Sequence, residues 1–515
     1  MSNAVNQRRA GAALSYVYIL VNSLIILVYQ PILLRLLGQS EYGLYQLVSS
    51  VMNYLNVMDL GFGNGIVVYT AKYHAAGRYE DEKKLHGMFF LIFCGIGALA
   101  FVLGTVITVN AGKIFLALTP AELEKSKILL GILTVNMGLT FVLSIYGNII
   151  TAYEKFVFAK VLNIVRVTLN PIIMLPLLLL GGDSVVLVAV ISCINIGCLV
   201  TNAVYTKKKL GISVKFCGFD KPVFLEILSY SIFVFIAEIV DKINWYVDQA
   251  ILGIVRGTSE VTVYSMASNY NQMALQLSAV FSSVMLPKIS KMVARGEDDR
   301  ALSKEFVKTG RLQFMTVFLF VTGFIILGKK FVIWHVGEAC QMSYYIALLL
   351  LVSAAIPITQ SLGISILKAK NLFRVRAFIT LGMSIVNIAI SIPLAMKFGG
   401  VGSAAGTAFS LITANVIIMN IYYQKRCGIN VTEYWKNIGV MVLKLLPSIA
   451  VTVALKVWLN LPGMVEFFVL GSVYTLLYAL SSYLFVMNGY ERSIVDKVLI
   501  KLHLKKGKGV CHDNM

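Results

Sequence analysis

The sequence predicts an all-α integral membrane protein of fourteen transmembrane helices, built as two parallel six-helix repeats followed by two extra C-terminal helices. Three observations predict it. Of 515 residues, 58% are hydrophobic and only 14% charged, outside the range of ordinary soluble domains. Apolar stretches recur at lengths near 20 residues, which is what a helix rising about 1.5 Å per residue needs to cross about 30 Å of hydrocarbon. An internal repeat divides the chain.

Fourteen such stretches run from 11–34, 43–70 and 86–109 through 158–180, 223–250 and 258–286 to 438–459 and 462–488. The connections are short and polar, so function must reside in the helix bundle. The first apolar run has no small-residue cleavage pattern, and no removable signal is expected.

The formal charge of +20 is unevenly distributed. Arg8, Arg9, Lys72, Arg78, Lys83, Lys84, Lys207 to Lys209, the run from Lys288 to Arg311, Lys368, Lys370, Arg374 and Arg376 all fall in loops on one side. That is the positive-inside pattern, which predicts cytoplasmic termini and contact with anionic lipid headgroups. Nucleic acid is not an expected partner. The seven cysteines form no CxxC pair, and catalytic or nucleotide-binding motifs are missing, so no disulfide framework, zinc site or cofactor is expected. The outer loops are short, the longest being 110–126 and 337–342, which argues against a membrane enzyme. "DLGFGNG" at 59–65 follows no strand, and reads as a helix-packing or flexible segment of span 2.

The repeat begins with "GQSEYGLY" at 38–45, which returns as "GTSEVTVY" at 257–264, a shift of 219. Lys72, Ala75 and Gly77 match Lys291, Ala294 and Gly296 at the same shift. Further on, the shift is 217: Asn170 matches Asn387 and Pro176 matches Pro393. Six spans per copy return the chain to its starting side, so the copies are parallel. The expected organisation is an N-terminal lobe of residues 1–215, a C-terminal lobe of 216–430, and 431–515 carrying the last two spans and a tail. A two-lobed plan with the substrate path between lobes suits a transporter that works by alternating access.

Span 7, "FIAEIVDKINWYVDQAILG" at 235–253, carries Glu238, Asp241, Lys242 and Asp248. Its midpoint lies near 238, and an ionised group at such depth costs on the order of 2.5 to 3.5 kcal/mol unless it faces a partner or water. Spacings of three and four gather Glu238, Asp241, Lys242, Trp245, Asp248 and Gln249 into one polar stripe. The first-copy equivalents include Ile19, Asn22, Ser23 and Tyr29, all uncharged, so the fold itself does not demand the charges. Span 2 adds Asn53, Asn56 and Asp59, and span 5 adds Arg166. Arg35, near the outer end of span 1, fits snorkelling by its depth and is an outlying candidate for the same site. Asp59, Glu238, Asp241 and Asp248 are candidates to exchange a proton or bind Na⁺, and Lys242 and Arg166 to attract an anionic head group; residue type does not separate the two ions.

"RLLGQSEYGLYQL", "MDLGFGNGIVVYTAKYHAAGR" and the six-plus-six-plus-two plan resemble the O-antigen-type flippases of polysaccharide biosynthesis, within the multidrug/oligosaccharidyl-lipid/polysaccharide exporter superfamily. The resemblance spans essentially the whole chain. It implies a V-shaped, MATE-like bundle in a bacterial inner membrane that moves an undecaprenyl-pyrophosphate-linked oligosaccharide to the outer leaflet, coupled to Na⁺ or H⁺. It also implies membrane lipids and glycan polymerases or glycosyltransferases as partners, a monomeric state, and cationic residues in the cavity for the pyrophosphate and sugars. Lys242 and Arg166 fit that role by position, with Asn53, Asn56, Trp245 and Arg35 as further substrate contacts. A drug or cation antiporter of the same fold and a lipid II flippase are the rival readings.

Overall fold

A computed structural model describes residues 2–214, 218–370, 372–459 and 463–501. Among them the chain is helical almost throughout, with no strand. The first copy runs α1 (Ser2–Leu37), α2 (Gln39–Leu55), α3 (Phe62–Ala75), α4 (Tyr79–Val109), the single turn α5 (Ala111–Ile114), α6 (Pro120–Ala152), α7 (Phe156–Leu179) and α8 (Ser184–Lys209). The second runs α9 (Lys221–Val255), α10 (Thr258–Ala294), α11 (Asp299–Val336), α12 (Ser343–Thr359), α13 (Ser361–Ala369), α14 (Phe373–Leu411) and α15 (Met419–Arg426). After these come α16 (Val431–Leu459), α17 (Gly463–Ser481) and α18 (Gly489–Lys501).

Among the described residues, nine helices are long and apolar enough to cross a membrane, or ten if the bent pair α12 and α13, 41° apart, is one span. The expected fourteen are not reached by this criterion, for local reasons. Span 2 is interrupted, so neither α2 nor α3 is long enough alone. Spans 11 and 12 run together through a bend at Gly399 (φ 60°, ψ −140°) inside α14. In α9 and α10, several side chains lie outside the description.

The interruption of span 2 is set by its glycines. Between α2 and α3 the chain makes a 3-10 turn, Asn56–Asp59, and then places Leu60 (φ 53°) and Gly61 (φ 71°) in the left-handed region. Glycine adopts that conformation freely, and leucine only at a cost. At the 219 shift, Gly61, Gly63 and Gly65 become Val280, Ser282 and Val284, and α10 runs through that place unbroken. The segment read as a packing or flexible element is therefore a helix break. Asp59 caps the restarted helix, its Oδ2 accepting the Gly63 N–H at 3.3 Å.

The repeat is written in the backbone as well. Gly38 and Gly257, Gly77 and Gly296, and Gly211 and Gly428 pair at the two shifts, and all six have φ between 68° and 91°. The motif glutamates also behave alike. Glu41 Oε2 accepts the N–H of Ser184, the first residue of α8, at 3.1 Å. Glu260 Oε2 accepts that of Gly400, just past the bend in α14, at 2.9 Å. Each copy thus neutralises the orphan donors that begin its sixth span.

The chain forms two compact units. One comprises Met1–Met273, His335–Leu350 and Phe373–Ala414. There α2 and α10 meet closely at their first turns: a Cβ on Gly43 would lie 2.0 Å from the Thr258 carbonyl oxygen. The Thr119 side chain and Glu122 cap α6 reciprocally, with Pro120 in its first turn. Glu122 Oε1 then also accepts the hydroxyls of Ser40 (2.6 Å) and Thr258 (2.7 Å), tying three helix starts together.

The other unit comprises Ala274–Trp334, Leu351–Leu372 and Asn415–Met515. Its polar centre is Arg311, whose Nε and Nη2 donate to the Glu491 carboxylate at 2.7 and 2.8 Å, while Nη2 also reaches the Val486 carbonyl at 2.9 Å. Both residues are buried. Such a pair joins α11 to the chain around α18 and is costly to break from one side.

Asp183, in the loop before α8, caps that helix through the N–H groups of Val185 and Val186 and pairs with Lys125 at 3.2 Å. Burial alone would raise its carboxyl; the Val186 N–H and the Lys125 ammonium outweigh this and hold it below the ordinary carboxylate range. A group depressed in the fold stabilises above its unfolded pKa and loses that contribution as pH falls through its folded value. The melting temperature of the purified protein is therefore expected to drop as pH is lowered below about 4. In Asp183→Ala the acid slope should flatten, and the lost cap should cost about 1 kcal/mol near neutrality. An unchanged acid slope would count against this assignment.

Candidate functional site

Polar side chains from α1, α2, α6, α7 and α8 face one another inside the first unit and enclose a cavity of about 520 Å³. Every helix of the set belongs to the first copy. The lining includes Arg166, Asn53 and Asn56, which the sequence singles out, and also Asn22, Asn136, Asn170, Asn195, Gln30 and Thr140. Among the described residues, six asparagines and one guanidinium line it, and no carboxylate does.

The geometry is held by amide chemistry. Arg166 Nη1 donates to Asn195 Oδ1 at 3.1 Å, and Asn195 Nδ2 donates to Asn136 Oδ1 and Thr140 Oγ1, both at 2.9 Å. With donors and acceptor all engaged, the Asn195 amide is fixed in orientation and holds one guanidinium nitrogen. Asn53 Nδ2 donates to the Ser49 carbonyl at 2.9 Å, and Asn56 Nδ2 to Asn53 Oδ1 at 3.3 Å. Tyr29 is 4% exposed, and neither its hydroxyl nor Asn170 Oδ1 has a hydrogen-bond partner. Both residues line the cavity, although these two atoms are themselves buried. An unmet buried polar atom costs about 1 to 3 kcal/mol.

The other named residues lie elsewhere. Asp59 is engaged at the helix break. Arg35 sits in the last turn of α1 and donates through Nη2 to the His335 carbonyl at 3.4 Å, at the C-terminal end of α11 where cations are favoured. Lys242 borders a separate apolar cavity of about 400 Å³ lined by Tyr54, Met58, Leu60, Ile96 and Phe235, with its ammonium 5.2 Å from the Tyr246 ring centroid. The side chains of Glu238, Asp241 and Trp245 lie outside the described residues.

Among the described members of the span 7 stripe, Asp248 sits in a built polar site. It is 2% exposed. Its Oδ1 accepts from Ser403 Oγ at 2.7 Å, and its Oδ2 from Thr407 Oγ1 at 2.6 Å and from the Tyr264 hydroxyl. Asn387 Oδ1 extends the cage by accepting from Ser391 at 2.9 Å and Thr407 at 3.2 Å. One carboxylate among hydroxyl and amide oxygens is a donor set for a hard monovalent cation or a proton. Among the described residues no group of three or more His, Cys, Asp and Glu could hold a metal.

Sequence reasoning missed Tyr29, Asn136, Thr140, Asn170 and Asn195, and in the cage Tyr264, Asn387, Ser403 and Thr407. The available signal was polar residues at mid-span in α6, α7 and α8, since amides in hydrocarbon ask for partners.

A family whose members are described as polysaccharide biosynthesis proteins matches residues 9–293. No curated protein sequence matches the chain significantly. Among solved structures, the lipid II flippase MurJ in an inward closed conformation is 14% identical, with a TM-score of 0.67 over 94% of this chain and 99% of that one. A multidrug resistance MATE family transporter of the MOP superfamily, inward-facing, is 12% identical, with a TM-score of 0.63 over 81% of this chain and 95% of that one. A Vibrio cholerae MATE transporter is 16% identical, with a TM-score of 0.57 over 84% of this chain and all of that one. At these identities the likeness is one of fold, and it agrees with the expected MATE-like helical bundle.

Removing the Asp248 carboxylate orphans buried hydroxyls. Asp248→Leu is expected to cost several kcal/mol, at about 1 to 3 for each donor left unmet, and Asp248→Asn much less. Melting temperatures of the two purified variants check this; a loss below about 1 kcal/mol in Asp248→Leu would show that the hydroxyls do not depend on an acceptor here.

Proposed function

The chain belongs to the polysaccharide biosynthesis protein family, and on that premise we propose that it is a flippase carrying an undecaprenyl-pyrophosphate-linked oligosaccharide from the cytoplasmic to the outer leaflet of a bacterial inner membrane. The observation that carries the proposal is the chemistry of the 520 Å³ cavity, amide-rich with one guanidinium and, among the described residues, no carboxylate. Such a lining suits a cargo of hydroxyl groups and negative charge. It suits a cationic drug poorly, because a cation would meet Arg166 with no counter-charge. The apolar cavity beside Lys242 adds a place where hydrocarbon and an anionic group can sit together. The loop distribution of Lys and Arg supports cytoplasmic termini.

Coupling is assigned to Asp248. A cation or proton held by the cage in one conformation, and released in another where Ser403 and Thr407 have moved off the carboxylate, biases the equilibrium by its differential affinity. The two copies thereby divide the work, with cargo in the first and the driving ion in the second. Glycan polymerases and glycosyltransferases are the partners this reading anticipates.

The test is transport by purified protein in liposomes, with a fluorescent polyprenyl-pyrophosphate glycan and a sided quencher. Wild type should flip it, faster under an inward Na⁺ or H⁺ gradient. Arg166→Gln should slow flipping at least 10-fold. Asp248→Asn should remove the gradient dependence while the fold survives. Gradient-independent flipping by wild type would refute the coupling site, and wild-type rates in Arg166→Gln would refute the cargo site.

A further inference from the structure

We propose that His335 is a positioning residue: it supplies span 1 with the hydrogen-bond donor that Pro31 removes, and the resulting clasp holds α1 and α2 against α10 on the side of the membrane opposite the start of α1. This goes beyond the flippase reading, because it concerns how the two copies are joined and not what is carried.

The need for a donor is set by the backbone. Pro31 lies inside α1, and proline has no N–H to give the carbonyl four residues before it, here that of Leu27. In hydrocarbon such a carbonyl must be partnered by the protein. His335 is buried, belongs to the same compact unit, and brings Nε2 to 2.5 Å from the Leu27 oxygen. A carbonyl only accepts, so Nε2 carries the hydrogen, while Nδ1 meets the Tyr270 hydroxyl of α10 at 2.8 Å. The exchange is reciprocal. Arg35 of α1 donates through Nη2 to the His335 carbonyl at 3.4 Å, one of the carbonyls that the last turn of α11 leaves without a helical donor. Tyr270 lies eight residues, about 12 Å, beyond Thr262 along α10, and Thr262 Oγ1 donates to the Gln39 carbonyl at the start of α2 at 2.6 Å. The α1–α2 segment and α10 are thus joined at two depths.

The duplication gives an independent argument. At the 219 shift, Pro31, Arg35 and Tyr270 correspond to Ala250, Ile254 and Val51, and His335 falls on Leu116, or on Leu118 at the 217 shift. The twin of Pro31 is an alanine, which supplies its own N–H, and α9 runs through that position as helix. At the twin positions of the arginine, the tyrosine and the histidine the side chains are aliphatic. Proline and its three polar companions therefore occur together at one seam and are replaced together at the other, which is what a donor serving the proline-freed carbonyl requires. Parting α1 from α10 takes the imidazole away from Leu27 and leaves a carbonyl unmet in hydrocarbon. The clasp accordingly favours the state in which α1 and α2 meet α10.

The test is a double-mutant cycle on the full chain in lipid nanodiscs, read by melting temperature and by amide hydrogen exchange in residues 32–37 and 258–264. His335→Phe keeps a ring and loses the donor; it should lower the melting temperature and speed exchange about 5-fold in both segments. His335→Gln keeps a donor and should recover most of both effects. Pro31→Ala restores the helical N–H to Leu27, so in that background His335→Phe should change exchange by less than about 2-fold. Equal effects of His335→Phe with and without Pro31→Ala overturn the clasp, as does wild-type behaviour of His335→Phe. A lower melting temperature with unchanged exchange at 258–264 would reduce His335 to local packing and overturn its role in holding α10. Neither readout involves a cargo, so failure here leaves the flippase reading untouched, and failure of that reading leaves the clasp standing.

Discussion

In hydrocarbon, a peptide group with no helical partner must be given one by the protein. The most telling parts of this structure are places where that rule is met by side chains. At the break in span 2, the Asp59 carboxylate takes the Gly63 N–H and the Ser231 hydroxyl reaches the Gly61 carbonyl at 3.3 Å. At the bend near Gly399, Glu260 takes the Gly400 N–H. At the start of α8, Glu41 does the same for Ser184. Several acidic residues that look functional by depth alone are therefore satisfying backbone. Asp59 and Glu260 secure irregular chain, whereas Asp248 accepts from the side-chain hydroxyls of Tyr264, Ser403 and Thr407.

That distinction explains what the amino-acid sequence discloses. The membrane class, the helical architecture and the duplication are legible because burial in lipid imposes a composition and a period, and because glycines that must take positive φ, such as Gly38 with Gly257 and Gly77 with Gly296, repeat as residues. Arg166, Asn53 and Asn56 are legible as polar exceptions in apolar spans, and the structure gathers them in one cavity. Lys242 and Asp248 share a helix but not a site. Six residues apart on a helix of 3.6 residues per turn, they differ in direction by about 120°, so a stripe read over that distance joins two faces. The sharing of one cavity by Tyr29 and Asn170, or the meeting of Asp248 with Ser403 and Thr407, depends on packing between helices far apart in the chain, and no spacing rule within a helix reveals it.

The two cavities near the first-copy helices divide polar from apolar character. One is walled by amides, and the other, beside Lys242, by aliphatic and aromatic groups. An amphiphile with a sugar end and a hydrocarbon end finds both environments in one unit.

The broken second span carries a mechanical meaning. Two copies descended from one ancestor have come to differ in stiffness at a single level: Gly61, Gly63 and Gly65 permit a pivot in one, while Val280, Ser282 and Val284 keep its twin a straight strut. Stress applied alike to both would be relieved at the pivot and transmitted by the strut. A duplicated chain so equipped has its compliance in one copy and its stiffness in the other at the same level of the repeat.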